Sequence, residues 1–140
     1  MTLIKKSFDS LPDKERRKAI GVLEVALSKL PQAEIPPEEI IGGGIYARTI
    51  VIPEDTALVG EIHKFENMNY LVSGTITVAT EQGVETITGP RIIVSPAGTK
   101  RAGHTLTEVV WTSLHPTEEL ETEKVREHVI APDYSDLLLE

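Results

Sequence analysis

A small set of side chains able to do chemistry lies in segments with the alternating pattern of β-strands. Tyr46 and Arg48 stand two residues apart, as do Asn67 and Asn69. Because successive side chains of a strand point to opposite faces, each pair is expected to share one face. A guanidinium offers forked donors that suit a carboxylate or phosphate, and a side-chain amide can form hydrogen bonds with sugar hydroxyls or with the edge of a base. His63 adds a side-chain type suited to acid–base chemistry near neutral pH.

Each of these residues also has a purely structural interpretation. His63 fits a hydrogen-bonded core residue equally well, and the two asparagines fit the turn of a tight hairpin. Arg101 fits a surface loop or an ion pair with Glu66. Trp111, the only tryptophan, fits the core better than a ligand platform, although it can supply a flat wall.

Short strands separated by turn residues are predicted for the middle of the chain. They are Ile45–Ile52, Thr56–His63, Asn69–Ser73, Thr75–Thr80, Val84–Thr88, Arg91–Ser95 and Leu106–Leu114. Glycine- and proline-containing turns at this spacing predict a mainly β fold, either a sandwich or a small barrel.

Helical patterns are predicted on both sides of these strands. An N-terminal helix spans about 10–30, capped by Ser10, and a connector without a long helix or strand follows at 32–44. After the barrel at 45–115, a short helix capped by Thr117 or Thr122 ends at Pro132. The tail at 133–140 carries an apolar patch, which is expected to pack on the barrel or on a neighbouring subunit. We interpret 1–140 as one domain.

Composition excludes several classes of protein. The 140 residues include 14 Lys and Arg against 22 Asp and Glu, a net charge of −8, which argues against nucleic-acid binding. Without cysteine there are no disulfides, thiolate metal sites or thiol catalysis. No apolar run is long enough for a membrane span or a signal peptide. We therefore expect a cytoplasmic protein.

Two segments resemble the two characteristic motifs of the cupin superfamily. The first is GEIHKFENMNYLVSG at Gly60–Gly74, and the second is GPRIIVSPAGTKR at Gly89–Arg101, with a short hairpin between them. The resemblance implies a small antiparallel double-sheet barrel of the jelly-roll type, with helices on either side. The flanking segments around Tyr46, Ser95 and Trp111 are similar to short cupin-like proteins often encoded by tailed phages, which implies the host cytoplasm.

In metal-binding cupins, the first motif supplies two histidines and a glutamate, and the second motif supplies another histidine. Here His63 matches the first histidine, but Phe65 stands at the second. The glutamate position is Asn67 or Asn69, depending on the direction of counting, and Arg101 takes the last histidine position. The resemblance therefore implies that the standard metal site is lost and no cofactor is bound. A divalent metal at His63 would need His104 or His115 beside it.

If these positions line a barrel interior, they form a polar pocket with a positive member. We predict His63 as the catalytic candidate and a set of ligand-binding candidates: Asn67, Asn69, Arg101, Tyr46, Arg48 and Trp111. The favoured function is binding of a small polar or anionic organic ligand by a homo-oligomer. One alternative is a metal-dependent or histidine-based isomerase, epimerase or dioxygenase. The other is a phage-encoded structural or host-interaction protein.

Overall fold

Two antiparallel sheets face each other in the computed structural model, which describes residues 13–131. The helices are α1 (Asp13–Ser28) and α2 (Thr122–Val129). The strands are β1 (Glu38–Gly42), β2 (Ile45–Ile52), β3 (Ala57–Val59), β4 (Ile62–His63), β5 (Asn67–Ser73), β6 (Thr75–Thr80), β7 (Gly83–Thr88), β8 (Arg91–Ser95), β9 (Ala102–Thr105), β10 (Val109–Pro116) and β11 (Ile130–Ala131). The sheets have the orders β1-β2-β10-β5-β8 and β3-β9-β6-β7, and β11 pairs with β4.

The inward side chains of the five-stranded sheet form rows across its central strands. Ile52 lies opposite Val109, and Trp111 lies opposite both Ile50 and Leu71. These apolar rows meet Ile76, Val78 and Ile87 of the other sheet in the main core. The remaining rows, toward the start of β2, are polar: His115 opposite Tyr46, and Ser113 opposite both Arg48 and Asn69. The core thus fills one end of the space between the sheets, and polar side chains occupy the other.

The chain passes from one sheet to the other at Gly74, between β5 and β6. Its φ of +93° is one that other residues rarely adopt. A Cβ at this position would also overlap the carbonyl oxygen of Glu108. Only glycine therefore allows β10 to approach the crossing point this closely.

Each helix covers a different part of the barrel. α1 lies on the four-stranded sheet, where it contacts β3, β6 and β9 and buries Ile20. An ion pair between Arg17 and Glu81 and one between Lys100 and Glu24 hold it there. α2 packs Val125 and Val129 against Tyr46, beside the polar rows. α2 therefore encloses the polar end of the interior.

The structure departs from the predicted elements at several points. The connector at 32–44 contains β1. The predicted strand Thr56–His63 is divided into β3 and β4, because its first part pairs with β9 and its last part pairs with β11. The strand β9 was not predicted, and β10 begins at Val109 rather than Leu106. α2 has Glu121 at its N-cap without a side-chain cap bond, so neither threonine is the cap. The predicted Ser10 cap and the tail lie outside the described residues. α2 ends at Val129 rather than at Pro132, because Ile130 and Ala131 form β11.

No helix among residues 13–131 combines the length and the apolar character that crossing a membrane requires.

Candidate functional site

A cavity of about 320 Å³ lies between the two sheets. Its walls come from β2, β5 and β10 on one side, from β3, β6 and β9 on the other, and from α2. This volume is at the lower end of the range for small-molecule sites. The cavity therefore suits a small organic molecule.

Asn69 organises the polar wall of the cavity. Its Oδ1 accepts hydrogen bonds from Trp111 Nε1 at 3.0 Å and from Ser113 Oγ at 3.1 Å, and its Nδ2 donates to Ser95 Oγ at 2.8 Å. Asn69 is buried, and these three bonds join strands β5, β8 and β10. Such a satisfied network fixes the orientation of the surrounding side chains.

Arg101 enters the cavity from the segment between β8 and β9. Its Nη2 donates to Ser95 Oγ, and its Cζ lies 5.6 Å from the ring centroid of Trp111. Burial lowers the pKa of Arg101 to about 10, because its charge has lost water. Among residues 13–131, no carboxylate forms an ion pair with it. Its charge is therefore held in place but not neutralised.

Arg48 is a second guanidinium in the cavity wall that forms no ion pair with the described residues. Its Nε is buried and has no hydrogen bond within the described chain. Glu39, its cross-strand neighbour, accepts a hydrogen bond from the Tyr46 hydroxyl at 2.7 Å instead. Burial and this contact raise the pKa of Tyr46. Arg48 therefore also lines the cavity without a hydrogen bond at its Nε from the described residues.

The cavity has a third arginine, and this one is paired. Arg126 of α2 donates from Nη2 to Glu61 Oε1 at 2.6 Å. Glu61 is the only carboxylate that lines the cavity in the described part of the chain. Because Arg126 uses it, the net charge of the cavity wall is positive.

His63 and His115 form a hydrogen-bonded pair in the same wall. His63 Nδ1 lies 3.0 Å from His115 Nε2, and the ring planes differ by 11°. Burial, the neighbouring His115 and the charges of Arg101 and Arg126 lower the pKa of His63 to about 4, against a raising effect of Glu61. Burial also lowers the pKa of His115. Both rings are therefore neutral at pH 7.

This neutral pair has a fixed pattern of hydrogen bonding. One ring donates to the other, and which one donates depends on the tautomer. In either arrangement, the two outer atoms, His63 Nε2 and His115 Nδ1, present one N–H donor and one bare acceptor. The pair can therefore donate to one group of a ligand and accept from another.

The rest of the cavity is apolar. Its walls there are Ile50, Ile52, Leu58, Ile76, Val78 and Trp111. Gly103 lies between Leu58 and Ile76, where a Cβ would come within 3.1 Å of the Ile76 Cδ1. The cavity thus has a positive, polar end and an apolar end.

Six of the seven predicted site residues line this cavity. They are Tyr46, Arg48, His63, Asn69, Arg101 and Trp111. Asn67 does not, although it is buried and neither of its amide atoms has a hydrogen-bond partner in the described chain. It shares a face with Asn69 but lies one row further along β5, about 7 Å away by strand geometry and beyond the cavity. Its role in ligand binding stays a prediction, and the structure places it outside the cavity wall.

Three polar residues of the cavity wall, His115, Ser113 and Arg126, were not predicted as ligand-binding or catalytic residues. His115 lies near the end of β10, where it is buried against His63. Its position and that of Ser113 follow from Trp111 by the two-residue period of a strand, a signal that was available. Arg126 had no such signal, because its approach depends on the packing of α2.

Comparison with known proteins identifies the fold. No family model and no curated protein matches this sequence. A solved cupin superfamily protein from Desulfitobacterium hafniense matches with a TM-score of 0.51 and 6% identity, over 66% of this chain and 86% of that one. The Schizosaccharomyces pombe Cnp3 cupin domain matches with 0.51 and 14%, over 71% and 77%. A putative ethanolamine utilization protein Q from Salmonella typhimurium matches with 0.51 and 11%, over 62% and 72%.

These likenesses and the two facing sheets define a jelly-roll barrel of the cupin type. At such low identity they extend to the fold alone. The resemblance to phage-encoded proteins stays a prediction.

The residues present do not fit the four-ligand metal centre of metal-binding cupins. His115 does lie beside His63, but His104 is on the outside of the barrel, 2.7 Å from Asp55. Within residues 13–131, no three histidine or acidic side chains come together as a metal-binding group. Arg101 also places a positive charge in the same wall, which opposes a divalent cation.

Proposed function

We propose that this cupin-type barrel binds a small polar organic anion in its interior. The observation that carries the proposal is the presence of two cavity guanidinium groups, Arg48 and Arg101, that form no ion pair with a carboxylate of residues 13–131. Glu61, the one carboxylate that lines the cavity in this part of the chain, pairs with Arg126. A bound anion would supply the missing charge.

Energetic considerations support an anion over a neutral ligand. A charge removed from water is costly unless it is paired and hydrogen-bonded. Arg101 keeps one bond to Ser95 and a contact with Trp111, neither of which carries negative charge. A carboxylate that accepted two parallel bonds from a guanidinium would offset this cost.

Neutral groups around the cations would recognise the rest of the ligand. Ser113 and the outer nitrogens of the His63–His115 pair offer hydroxyl and imidazole groups. These groups suit hydroxyl or carbonyl substituents next to a carboxylate. The favoured ligand is therefore an organic acid rather than an inorganic ion.

Thermal shifts with matched acids and amides test this proposal. We expect butanoate to stabilise the protein and butanamide, which has a similar shape without the charge, to have little effect. The substitution Arg101→Met should weaken butanoate binding about tenfold or more, because a charge-assisted hydrogen bond is lost. Native mass spectrometry of tag-free protein would show whether an organic acid is retained on purification.

Lys100→Met is the matched control. It removes the same charge one residue away, but the Lys100 ammonium pairs with Glu24 of α1 and not with the cavity. Its butanoate binding should equal that of the wild type. Equal stabilisation by acid and amide, or equal loss in both variants, would contradict the proposal.

One observation favours a second candidate, a histidine-based isomerase or epimerase. The His63–His115 pair is neutral and couples an acceptor to a donor, as proton removal and return at a carbon require. In this candidate, an anion held by Arg101 would present a C–H bond next to a carbonyl group to His63.

Proton exchange tests the second candidate. The protein is incubated with 2-oxobutanoate in D₂O, and deuterium entry at carbon 3 is followed by NMR. Exchange above the buffer rate that is lost in His63→Gln would support acid–base catalysis. Exchange at the buffer rate despite binding would leave ligand binding as the function.

A further inference from the structure

The two ends of the cavity differ enough to narrow the ligand class, an inference that rests on the proposed function. The guanidinium groups of Arg48 and Arg101 lie in the polar part of the wall. Leu58, Ile76 and Val78 of the four-stranded sheet form an apolar wall without charge or hydroxyl groups. An anion that is polar throughout would leave this apolar surface in contact with water.

We propose that the ligand is an amphipathic monocarboxylate with a short hydrocarbon tail. Its carboxylate would lie at Arg101 and Arg48, and its tail would contact Leu58, Ile76 and Val78. The volume of about 320 Å³ limits the tail to a few carbons. Trp111, which carries the Asn69 bond on one edge and contacts the main core, stands between the two ends.

A homologous series tests the tail. Calorimetry with straight-chain monocarboxylates from acetate to octanoate should show roughly three- to fourfold tighter binding per added methylene until the cavity is full. Succinate, which has a charge at both ends, should bind more weakly than butanoate. The substitution Val78→Thr, which keeps the shape and adds a hydroxyl, should flatten the chain-length dependence from butanoate to octanoate.

The outcomes separate this inference from the proposed function. Equal binding of acetate, butanoate and succinate would overturn the amphipathic ligand and leave anion binding intact. Binding of butanol as tight as that of butanoate, or no binding of any acid in the series, would overturn both.

A second inference comes from the outside of the five-stranded sheet, independently of the cavity. One outward row crosses all five strands, and register pairs each member with the next: Ile40, Ala47, Leu114, Met68 and Val94. All five residues are apolar. Ile40 and Val94 are 61% and 57% exposed.

The neighbouring outward rows have the same character. They contain Val51, Val110, Thr49, Thr112, Tyr70 and Ile92, and the hydroxyls of Thr49 and Thr112 bond to each other at 2.7 Å. In these rows the one charged residue is Glu38, on the edge strand β1. We call this surface the outer sheet face. Neither described helix packs across it, because α1 lies on the other sheet and α2 contacts β1 and β11.

We infer that a second copy of this chain packs on the outer sheet face. Two copies with a net charge of −8 each repel each other. The outer sheet face is nearly uncharged, so contact through it does not place carboxylates of the two copies opposite each other. A sheet face also fits another sheet face, with layers about 10 Å apart. Five strands of 5 to 8 residues, about 4.8 Å apart, cover about 500 Å² per copy, which reaches the roughly 1,000 Å² total of a specific interface.

Light scattering on chromatographed protein tests the interface. The wild type should have twice the chain mass of 15.4 kDa. Met68→Lys and Val94→Lys, both at exposed positions of the apolar row, should have the mass of one chain. Thr86→Lys, an exposed strand position on the four-stranded sheet, is the matched control and should stay a dimer.

A circular dichroism melt checks that each variant is folded. If Met68→Lys does not fold, Val94→Lys on the edge strand β8 still tests the interface. A monomeric wild type at tens of micromolar would overturn the inference. A dimer that persists in both lysine variants would also overturn it. A dimer that is lost only on deletion of 133–140 would overturn it too, because the contact would then belong to the tail.

Discussion

The two sheets of the barrel distribute polar and apolar side chains in opposite ways. The four-stranded sheet points Leu58, Ile76 and Val78 inward and has Thr77 and Thr86 on its outer side, where their hydroxyls bond to each other. In the five-stranded sheet, the rows through Arg48 and His115 place polar groups inside, whereas its outer face is apolar.

The five-stranded sheet departs from the pattern that fold stability alone favours. A sheet is expected to carry apolar side chains on the face that packs on the core, as the four-stranded sheet does. Positions that break such a rule are expected at functional sites. The inverted rows of the five-stranded sheet are therefore the strongest structural argument for a ligand inside and a partner outside.

The largest predicted effect is a difference in the free energy of unfolding between substitutions in the apolar rows and in the polar rows of the five-stranded sheet. Leu71→Ala, in the apolar row opposite Trp111, should lower the free energy of unfolding by about 2–5 kcal/mol, because Leu71 is fully buried. Ser113→Ala, in a polar row, should cost about 1 kcal/mol, since Asn69 Oδ1 keeps its bond from Trp111. Urea unfolding measures both. Equal losses would mean that the polar rows support the fold as strongly as the core.

A smaller effect should appear with pH. The pKa of His63 falls from 6.5 in the unfolded chain to about 4 in the barrel, so the unfolded state binds more protons below pH 6.5. Stability should therefore be full above pH 6.5 and be lost as the pH falls toward 4, by at most about 3 kcal/mol from this group. Glu61, Arg101, Arg126 and His115 act on the same imidazole.

Urea unfolding between pH 7.5 and 4.5 measures this dependence. His63→Gln should flatten it, whereas His104→Gln, at the exposed Asp55 contact, should leave most of the slope. A slope unchanged by His63→Gln would contradict a buried neutral imidazole at this position.

Much of the strand pattern was predictable from local signals. The bounds of β2, β6 and β8 agree with the predicted ones, because β-branched residues fill them and Pro53, Gly74 and Pro96 bound them. β9 has the sequence Ala-Gly-His-Thr, which carries little strand propensity and forms a strand through pairing with β3 and β6. β1 was not predicted, because prolines and glycines surround it in the sequence. It pairs with β2 as an edge strand.

The site was predictable only within strands. Tyr46 and Arg48 share a face because of the two-residue period, and the structure places both in the cavity wall. The contact of His63 with His115 joins residues 52 positions apart, and the pair of Arg126 with Glu61 depends on where α2 lies. Such contacts come from register and packing, which a single sequence does not contain. The outer sheet face likewise could be recognised only from the register of five strands.

The smallest predicted effect is a gain in stability when one of the inward-facing positive charges of the five-stranded sheet is removed. Arg48→Met keeps the length of the side chain and removes a guanidinium whose buried Nε has no hydrogen bond in the described chain. A buried donor without a hydrogen bond costs about 1–3 kcal/mol, so ligand-free protein should become about 1 kcal/mol more stable without it. Glu39 keeps its bond from Tyr46 in this variant, so no new buried charge is created. Urea unfolding without and with butanoate measures the gain and the accompanying loss of ligand stabilisation. A gain in stability without loss of butanoate binding would assign the anion to Arg101 alone, and a loss of stability would mean that Arg48 supports the fold rather than the ligand.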